Sequence, residues 1–220
     1  MIAICVHRRE NINFFYSRGE PLLGDSTFIT KKEELTVDKL TGMEWVFFID
    51  WSWKIPKEIY EKYQCVVLHA ADLPNFRGGS PVQNQIIRGI KKTKLTAFMV
   101  NEGLDTGDIL LQRDLSLEGH IGEIWRRICV TATLMIIDIT KGNYERHPQE
   151  GGGSYYERRA PDESELPASI LLKSLQGVYD FIRMLEDPYP NAYVERADKK
   201  ITFKTADFDG KKIRGTYEIE

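Results

Sequence analysis

Along the chain the apolar positions change rhythm several times, and each rhythm predicts an element. Ile2 to His7 is a short β-rich apolar run that predicts a central strand. Trp45-Val46-Phe47-Phe48-Ile49-Asp50 and Cys65-Val66-Val67-Leu68-His69 are near-continuous apolar runs without alternation. Runs of that kind belong to parallel strands covered on both faces. Between them Ile55, Ile59 and Tyr63 recur every fourth residue around Pro56, which predicts a short amphipathic helix and a right-handed βαβ crossover. Pro81 to Ile90 reads as another helix with proline at its start. Lys94 to Val100 alternates, and Ile109 to Leu117 is a strand expected to pair with it. Ile121, Ile124, Trp125, Ile128, Ala132, Met135, Ile136 and Ile139 then hold helical spacing up to Gly142, a long helix laid on one sheet face.

Glycines punctuate the pattern. Gly19 and Gly24 read as isolated turn residues, and Gly151-Gly152-Gly153-Ser154 as a flexible break. Beyond the break, Ile170 to Leu185 has helical spacing, and Ala192 to Glu195 with Ile201 to Thr205 frame a hairpin around Asp198-Lys199-Lys200. The expected fold class is therefore α/β: a Rossmann-like, mostly parallel sheet with helices on both faces over residues 1–147. A small C-terminal α+β subdomain, helix plus hairpin, is expected over residues 148–220.

Composition narrows the chemistry. With 42% hydrophobic residues in 220, the chain has enough apolar surface for a packed core. No apolar run approaches the roughly 18–20 residues of a membrane span, and Met1 to Val6 lacks the basic start of a signal peptide. Cys5, Cys65 and Cys129 are few, odd in number and far apart, which fits buried thiols in a reducing cytoplasm. No Cys/His cluster has metal-ligand spacing, so no metal is expected. A net charge of −3 and a pI near 5.9 argue against a nucleic-acid partner and toward small molecules.

The chemistry-bearing stretch runs from Leu68 to Asp108. His69 falls at the C-terminal end of an expected parallel strand, the edge where open α/β sheets place ligands. Behind it, Leu73-Pro74-Asn75-Phe76-Arg77-Gly78-Gly79-Ser80-Pro81 is a loop that can bend sharply and leads into a helix. Asp105 stands in a turn built on Thr106-Gly107, thirty-six residues after His69. Histidine is the side chain best suited to moving protons near neutral pH.

These residues resemble the signature of the formyltransferases that use 10-formyltetrahydrofolate. That signature is Asn-x-His, then Leu-Pro-x-x-Arg-Gly with a proline soon after, then Asp-x-Gly-Asp. The tail carries a second resemblance. Arg159-Ala160-Pro161-Asp162-Glu163-Ser164 and Asp187-Pro188-Tyr189-Pro190-Asn191-Ala192 are similar to segments of the methionyl-tRNA and aminoarabinose formyltransferases. Because about seventy residues after the glycine break leave little space for a tRNA-binding barrel, the resemblance is read toward the nucleotide-sugar branch.

On that reading the chain is a cytoplasmic enzyme of surface-glycan biosynthesis. It moves a formyl group from 10-formyltetrahydrofolate to the amine of a UDP- or dTDP-linked amino deoxysugar, with no nucleic acid and no membrane. A homodimer is compatible with the apolar tail helix. Formylation of methionyl-tRNA, and a non-catalytic folate- or nucleotide-sugar-binding relative, are the alternatives. The resemblance assigns His69 as proton handler and Asp105 as its orienter. It places the folate against Ile55, Pro56, Val100, Asn101, Gly103 and Leu104. Arg77, Gly78, Gly79, His7, Arg8 and Arg9 are candidates for the acceptor. One departure stands out: the family asparagine is Val67 here, which cannot donate to an oxyanion; Asn84 or Gln83 on the helix after the loop is the candidate replacement, unless His69 and backbone donors suffice.

Overall fold

The computed structural model describes residues 1–220, apart from the side chains of Glu20 and Pro21. In chain order the principal elements are β1 (Ile2–Cys5), α1 (Arg9–Phe14), β2 (Ser26–Ile29), β3 (Trp45–Ile49), α2 (Lys57–Tyr60), β4 (Gln64–His69), α3 (Pro81–Ile86), β5 (Lys92–Met99), β6 (Ile109–Ser116), α4 (Ile121–Thr140), α5 (Leu175–Arg183), β7 (Tyr193–Arg196), β8 (Lys199–Phe203) and β9 (Tyr217–Ile219). They fall into two compact units, and the chain crosses between them more than once.

The first unit holds residues 1–77, 93–115 and 125–155. Its sheet runs β2-β1-β3-β4-β5-β6. β1 is parallel to both β2 and β3, and β3 is parallel to β4, while β5 joins β4 antiparallel. The unalternating sequence of β1 and β3 has its cause here: all their residues are buried, from Ile2 to Cys5 and from Trp45 to Ile49. α4 turns Ile128, Ala132, Met135, Ile136 and Ile139 inward, each at most 1% exposed, as its spacing predicts. Because chain order reverses at β1, the crevice at the C-terminal ends of β1 and β3 is a topological switch point, where ligands enter open α/β sheets.

Some segments depart from expectation. Only Ile29 of β2 is buried, too faint a pattern to read as a strand. Gly19 lies in a π-helical turn, Phe15–Gly19, and its Cα approaches the Phe15 ring so closely that a Cβ would meet it at 2.8 Å. In the glycine stretch before Ser154, Gly151 and Gly152 stand in open space and Gly153 is pinned. Gly153 has φ +65°, and a Cβ there would lie 2.2 Å from the Pro74 carbonyl oxygen.

The second unit comprises residues 78–92, 116–124 and 156–220. The expected division at residue 147/148 therefore does not describe the compact bodies. α3 and the turn before α4 join the tail, through Asn84 Nδ2 donating to the Glu157 carbonyl (3.2 Å) and Leu117 N–H donating to Lys91 (2.8 Å). The expected helix from 170 to 185 is broken at Ser174, whose hydroxyl accepts the Gly177 N–H and caps α5. β7 and β8 form the antiparallel hairpin, and β9 adds to the other side of β8. Buried Arg183 locks this unit by pairing with Asp180 and donating to the Leu117 and Gly119 carbonyls, each at 2.7 Å.

Candidate functional site

His69 closes β4 with 8% of its surface exposed. Its Nε2 lies 2.8 Å from the Phe76 carbonyl oxygen. A carbonyl only accepts, so Nε2 carries a hydrogen and the ring's second nitrogen, Nδ1, is left for chemistry. Nδ1 faces Asp105, whose Oδ2 is 3.9 Å away with the side chain 12% exposed. That separation is beyond hydrogen-bond distance, and such contacts commonly tighten only when substrate is bound.

Both partners sit on bent backbone. Phe76 and Asp105 adopt φ of +58° and +54°, conformations that cost non-glycine residues about 1–3 kcal/mol each. The surroundings fix them. The Phe76 N–H donates to Ser154 Oγ at 3.0 Å. The Asp105 carbonyl accepts from Arg77 Nε (3.1 Å) and Gln149 Nε2 (2.9 Å), and Gln149 Oε1 in turn receives Arg77 Nη2 at 2.7 Å. Gln149 also reaches the Gly107 carbonyl at 2.8 Å. At Gly107 any side chain is excluded, because a Cβ would lie 1.6 Å from the Met99 carbonyl oxygen. Arg77 thus braces the Asp105 turn through Nε and Nη2. Gln149 and Ser154 escaped the sequence reading, since neither belongs to a motif.

The loop expected at the folate has mixed character. Val100 is tied to the Cys65 carbonyl and packs, with Ile55, against one core cluster. Asn101, Gly103 and Leu104 are exposed, and Asn101 Oδ1 gathers the Gly103 N–H and the Thr106 hydroxyl at 3.0 Å each. Pro56 is half-buried. Trp51 belongs to the same cluster, and its indole Nε1 is buried without a hydrogen-bond partner. A ring system with acceptor atoms on its edge fits an orphaned donor there.

The remaining candidates are held elsewhere. At the switch point, His7 Nδ1 donates to the Asp50 carbonyl and Ser52 Oγ donates to His7 Nε2 at 3.3 Å. Arg8 pairs with Asp50 at 2.9 Å and lies over the Trp125 ring, so its charge is already balanced, while Arg9 is exposed. In the second unit, Gly79 is pressed against Arg158, where a Cβ would meet Cα at 2.4 Å, and its N–H donates to the Tyr156 carbonyl. Gly78 has φ +98° beside it. The Asn84 amide, the expected oxyanion donor, is spent on the Gly79 and Glu157 carbonyls at 2.9 and 3.2 Å. It braces its own loop. Val67 packs among Leu73, Phe98 and Ile109, an apolar setting with nothing to donate. Among the described residues no group of His, Cys, Asp or Glu is placed to hold a metal ion, and no helix is long and apolar enough to cross a membrane.

Comparison with known proteins gives this geometry a family. A family model described as formyl transferase matches residues 30–120, and one described as methionyl-tRNA formyltransferase, C-terminal domain, matches residues 161–220. A solved structure, methionyl-tRNA formyltransferase from Clostridium thermocellum, is 39% identical with a TM-score of 0.91, covering 100% of this chain and 98% of its own. The chain belongs to the formyl transferase family. That family uses 10-formyltetrahydrofolate as its one-carbon donor. The methionyl-tRNA formyltransferase of Thermodesulfovibrio yellowstonii is 30% identical over 200 residues, 87% of this chain and 62% of that protein. The chain thus spans about three-fifths of that curated relative's length.

These matches overturn the nucleotide-sugar expectation. A sugar N-formyltransferase from Shewanella is only 20% identical, with a TM-score of 0.67, a likeness of fold alone. The expectation of no nucleic-acid partner falls with it. That expectation rested on charge averaged over the whole chain, which does not report where charge clusters. Counting residues after the glycines misled as well, because the C-terminal family model fits within residues 161–220.

Proposed function

We propose that this chain transfers the formyl group of 10-formyltetrahydrofolate to the amine of methionyl-tRNA, in the cytoplasm. The observation that carries the reading is the buried His69–Asp105 pair on a formyl transferase chain whose similar proteins at 30–39% identity bear the methionyl-tRNA name. Ile55, Pro56, Val100, Asn101, Gly103 and Leu104 would hold the folate, with the Trp51 indole N–H as an added donor. When bound, the folate supplies a formyl carbon open to attack by an amine.

The protein's part is proton handling. The attacking amine must shed a proton and the folate nitrogen that leaves the formyl carbon must gain one; His69 Nδ1 is the nitrogen open to take the first proton and return it to the second, because Nε2 is held on the Phe76 carbonyl. Asp105 balances the imidazolium that results. Arg77 and Gln149 keep that carboxylate aimed at the ring by fixing its backbone. With Val67 in place of an amide, charge developing on the formyl oxygen must lean on the protonated ring and on backbone donors.

The test is incubation of the chain with 10-formyltetrahydrofolate and methionyl-tRNA, read by mass spectrometry of the released aminoacyl group. Formylmethionine is expected, at a rate that falls steeply as salt rises. Val67 also favours a second reading, a folate-binding relative without transfer. Tight folate binding with no formylated product at any salt concentration would establish that reading and remove the first.

A further inference from the structure

The His69 ring is held by a loop that leaves β4 and bends back to it. The chain turns at once after the strand: the Ala71 N–H donates to the His69 carbonyl at 2.9 Å, and the Leu73 N–H donates to the Ala71 carbonyl at 3.1 Å. Bonds that span only two residues close small, bent rings and hold a turn weakly. By Phe76 the loop has come back far enough for its carbonyl to accept the His69 Nε2 hydrogen. Ser154 fixes that far end through the Phe76 N–H. Two side chains on β5 and β6 fix the near end.

Thr96, on β5, lies opposite His69 in the strand register and is wholly buried. Its hydroxyl donates to the Ala71 carbonyl at 2.6 Å. Gln112 reaches in from β6. Its Nε2 donates to Thr96 Oγ1 at 2.9 Å and to Asp72 Oδ1 at 3.2 Å, and lies 3.4 Å from the Leu73 carbonyl oxygen. One amide group thus reaches three successive residues of the turn: Ala71 through Thr96, Asp72 at its carboxylate and Leu73 at its carbonyl. A hydroxyl has a single hydrogen, so the amide's donation directs the Thr96 hydrogen onto Ala71. The amide is not needed for charge, because Lys94 Nζ stands 3.2 Å from the same Asp72 oxygen. What Gln112 supplies is geometry.

We propose that Gln112, acting through Thr96, is a positioning residue for His69. It holds residues 71–73 so that the Phe76 carbonyl meets Nε2, which keeps the ring hydrogen there and leaves Nδ1 facing Asp105. A catalytic group misplaced by about 1 Å can lose about a hundredfold in rate, so a turn that sets one end of the imidazole governs transfer without touching substrate. The consequence for catalysis rests on the formyl-transfer reading of His69; the consequence for the ring's tautomer does not.

The test compares the intact, ¹⁵N-histidine-labelled chain with Gln112→Met, Thr96→Val and Gln112→Lys. The first keeps the side chain's length without its amide, the second keeps the shape without the hydroxyl, and the third restores a donor. The His69 resonances are identified by their loss in His69→Asn. In the unaltered chain the neutral ring should be a single tautomer with its hydrogen on Nε2. Gln112→Met and Thr96→Val should show mixed tautomers and a kcat about tenfold lower, with KM and folate affinity within about twofold. Gln112→Lys should recover most of both. The double variant should lose no more than the worse single one, because the two residues act in series. Where Gln112→Met folds poorly, Thr96→Val carries the same readouts. A single unchanged tautomer in both variants, with only the unfolding temperature lowered, would make Gln112 a structural brace and overturn the proposal. Mixed tautomers with an undiminished kcat would overturn it too. If the unaltered chain forms no formylmethionine, the formyl-transfer reading falls and the tautomer alone decides the role of Gln112.

Discussion

Two histidines in this chain each face carboxylate, yet they are built for opposite purposes. His120, in the second unit, has both nitrogens engaged. Nδ1 meets the Glu186 carboxylate at 2.9 and 3.1 Å, and Nε2 meets Asp207 at 3.3 Å. Its hydrogen bond to Glu186 raises its pKa. His69, in the first unit, is more deeply buried. It gives one nitrogen to a carbonyl and keeps the other opposite a carboxylate that stays beyond hydrogen-bond distance. Full engagement makes a brace, and one open nitrogen makes a proton carrier. No motif in the sequence marks His120, because its carboxylates lie 66 and 87 residues away.

The sharpest way to break this comparison is to remove the carboxylate from each. Asp105→Asn should lower formyl transfer by about 10²–10⁴-fold with the fold intact, the usual range for general acid–base catalysis. Glu186→Gln should leave transfer within a few fold and lower the unfolding temperature instead. If both variants behaved alike in both assays, the distinction between carrier and brace would be lost.

Next in size are the residues that only position Asp105. Gln149→Ala and Arg77→Ala should each cost about 10–10² in kcat, since small displacements of a catalytic group are expensive. Folate affinity should change little. Gly107→Ala should cost at least as much, because its methyl collides with the Met99 carbonyl under the turn.

The smallest effect concerns pH. The folded His120 pKa is raised, so its contribution to stability is fully present below the unfolded value of about 6.5. It is then lost as pH climbs through the raised folded value. The unfolding temperature should therefore fall as pH rises beyond about 6.5, and His120→Asn should flatten that decline. Cys65 and Cys129, with burial pushing both thiols up to about 12, should stay unlabelled by iodoacetamide until the chain unfolds.

How much of this was readable in advance follows from where the signal resides. β1, β3, β4 and α4 were legible because full burial leaves unbroken or helically spaced apolar residues. α1 was not, having Asn11 as its buried residue. The break of the tail helix at Ser174 was hidden because apolar residues continue on both sides of it. At the site, His69 and Asp105 could be named from motif and resemblance. Their support could not: a positive φ at Phe76 or Asp105 leaves no trace in residue type, and Gln149 reaches Asp105 across 44 residues. The division into two units was equally hidden, because it depends on contacts of α3 with distant residues.

The most direct measurement is the single-turnover rate of formyl transfer to methionyl-tRNA by His69→Asn beside the unaltered chain, with folate binding and unfolding temperature recorded on the same samples. The account predicts a loss of about 10²–10⁴-fold in rate with folate affinity and stability nearly unchanged. A rate within a few fold of the unaltered chain would contradict it.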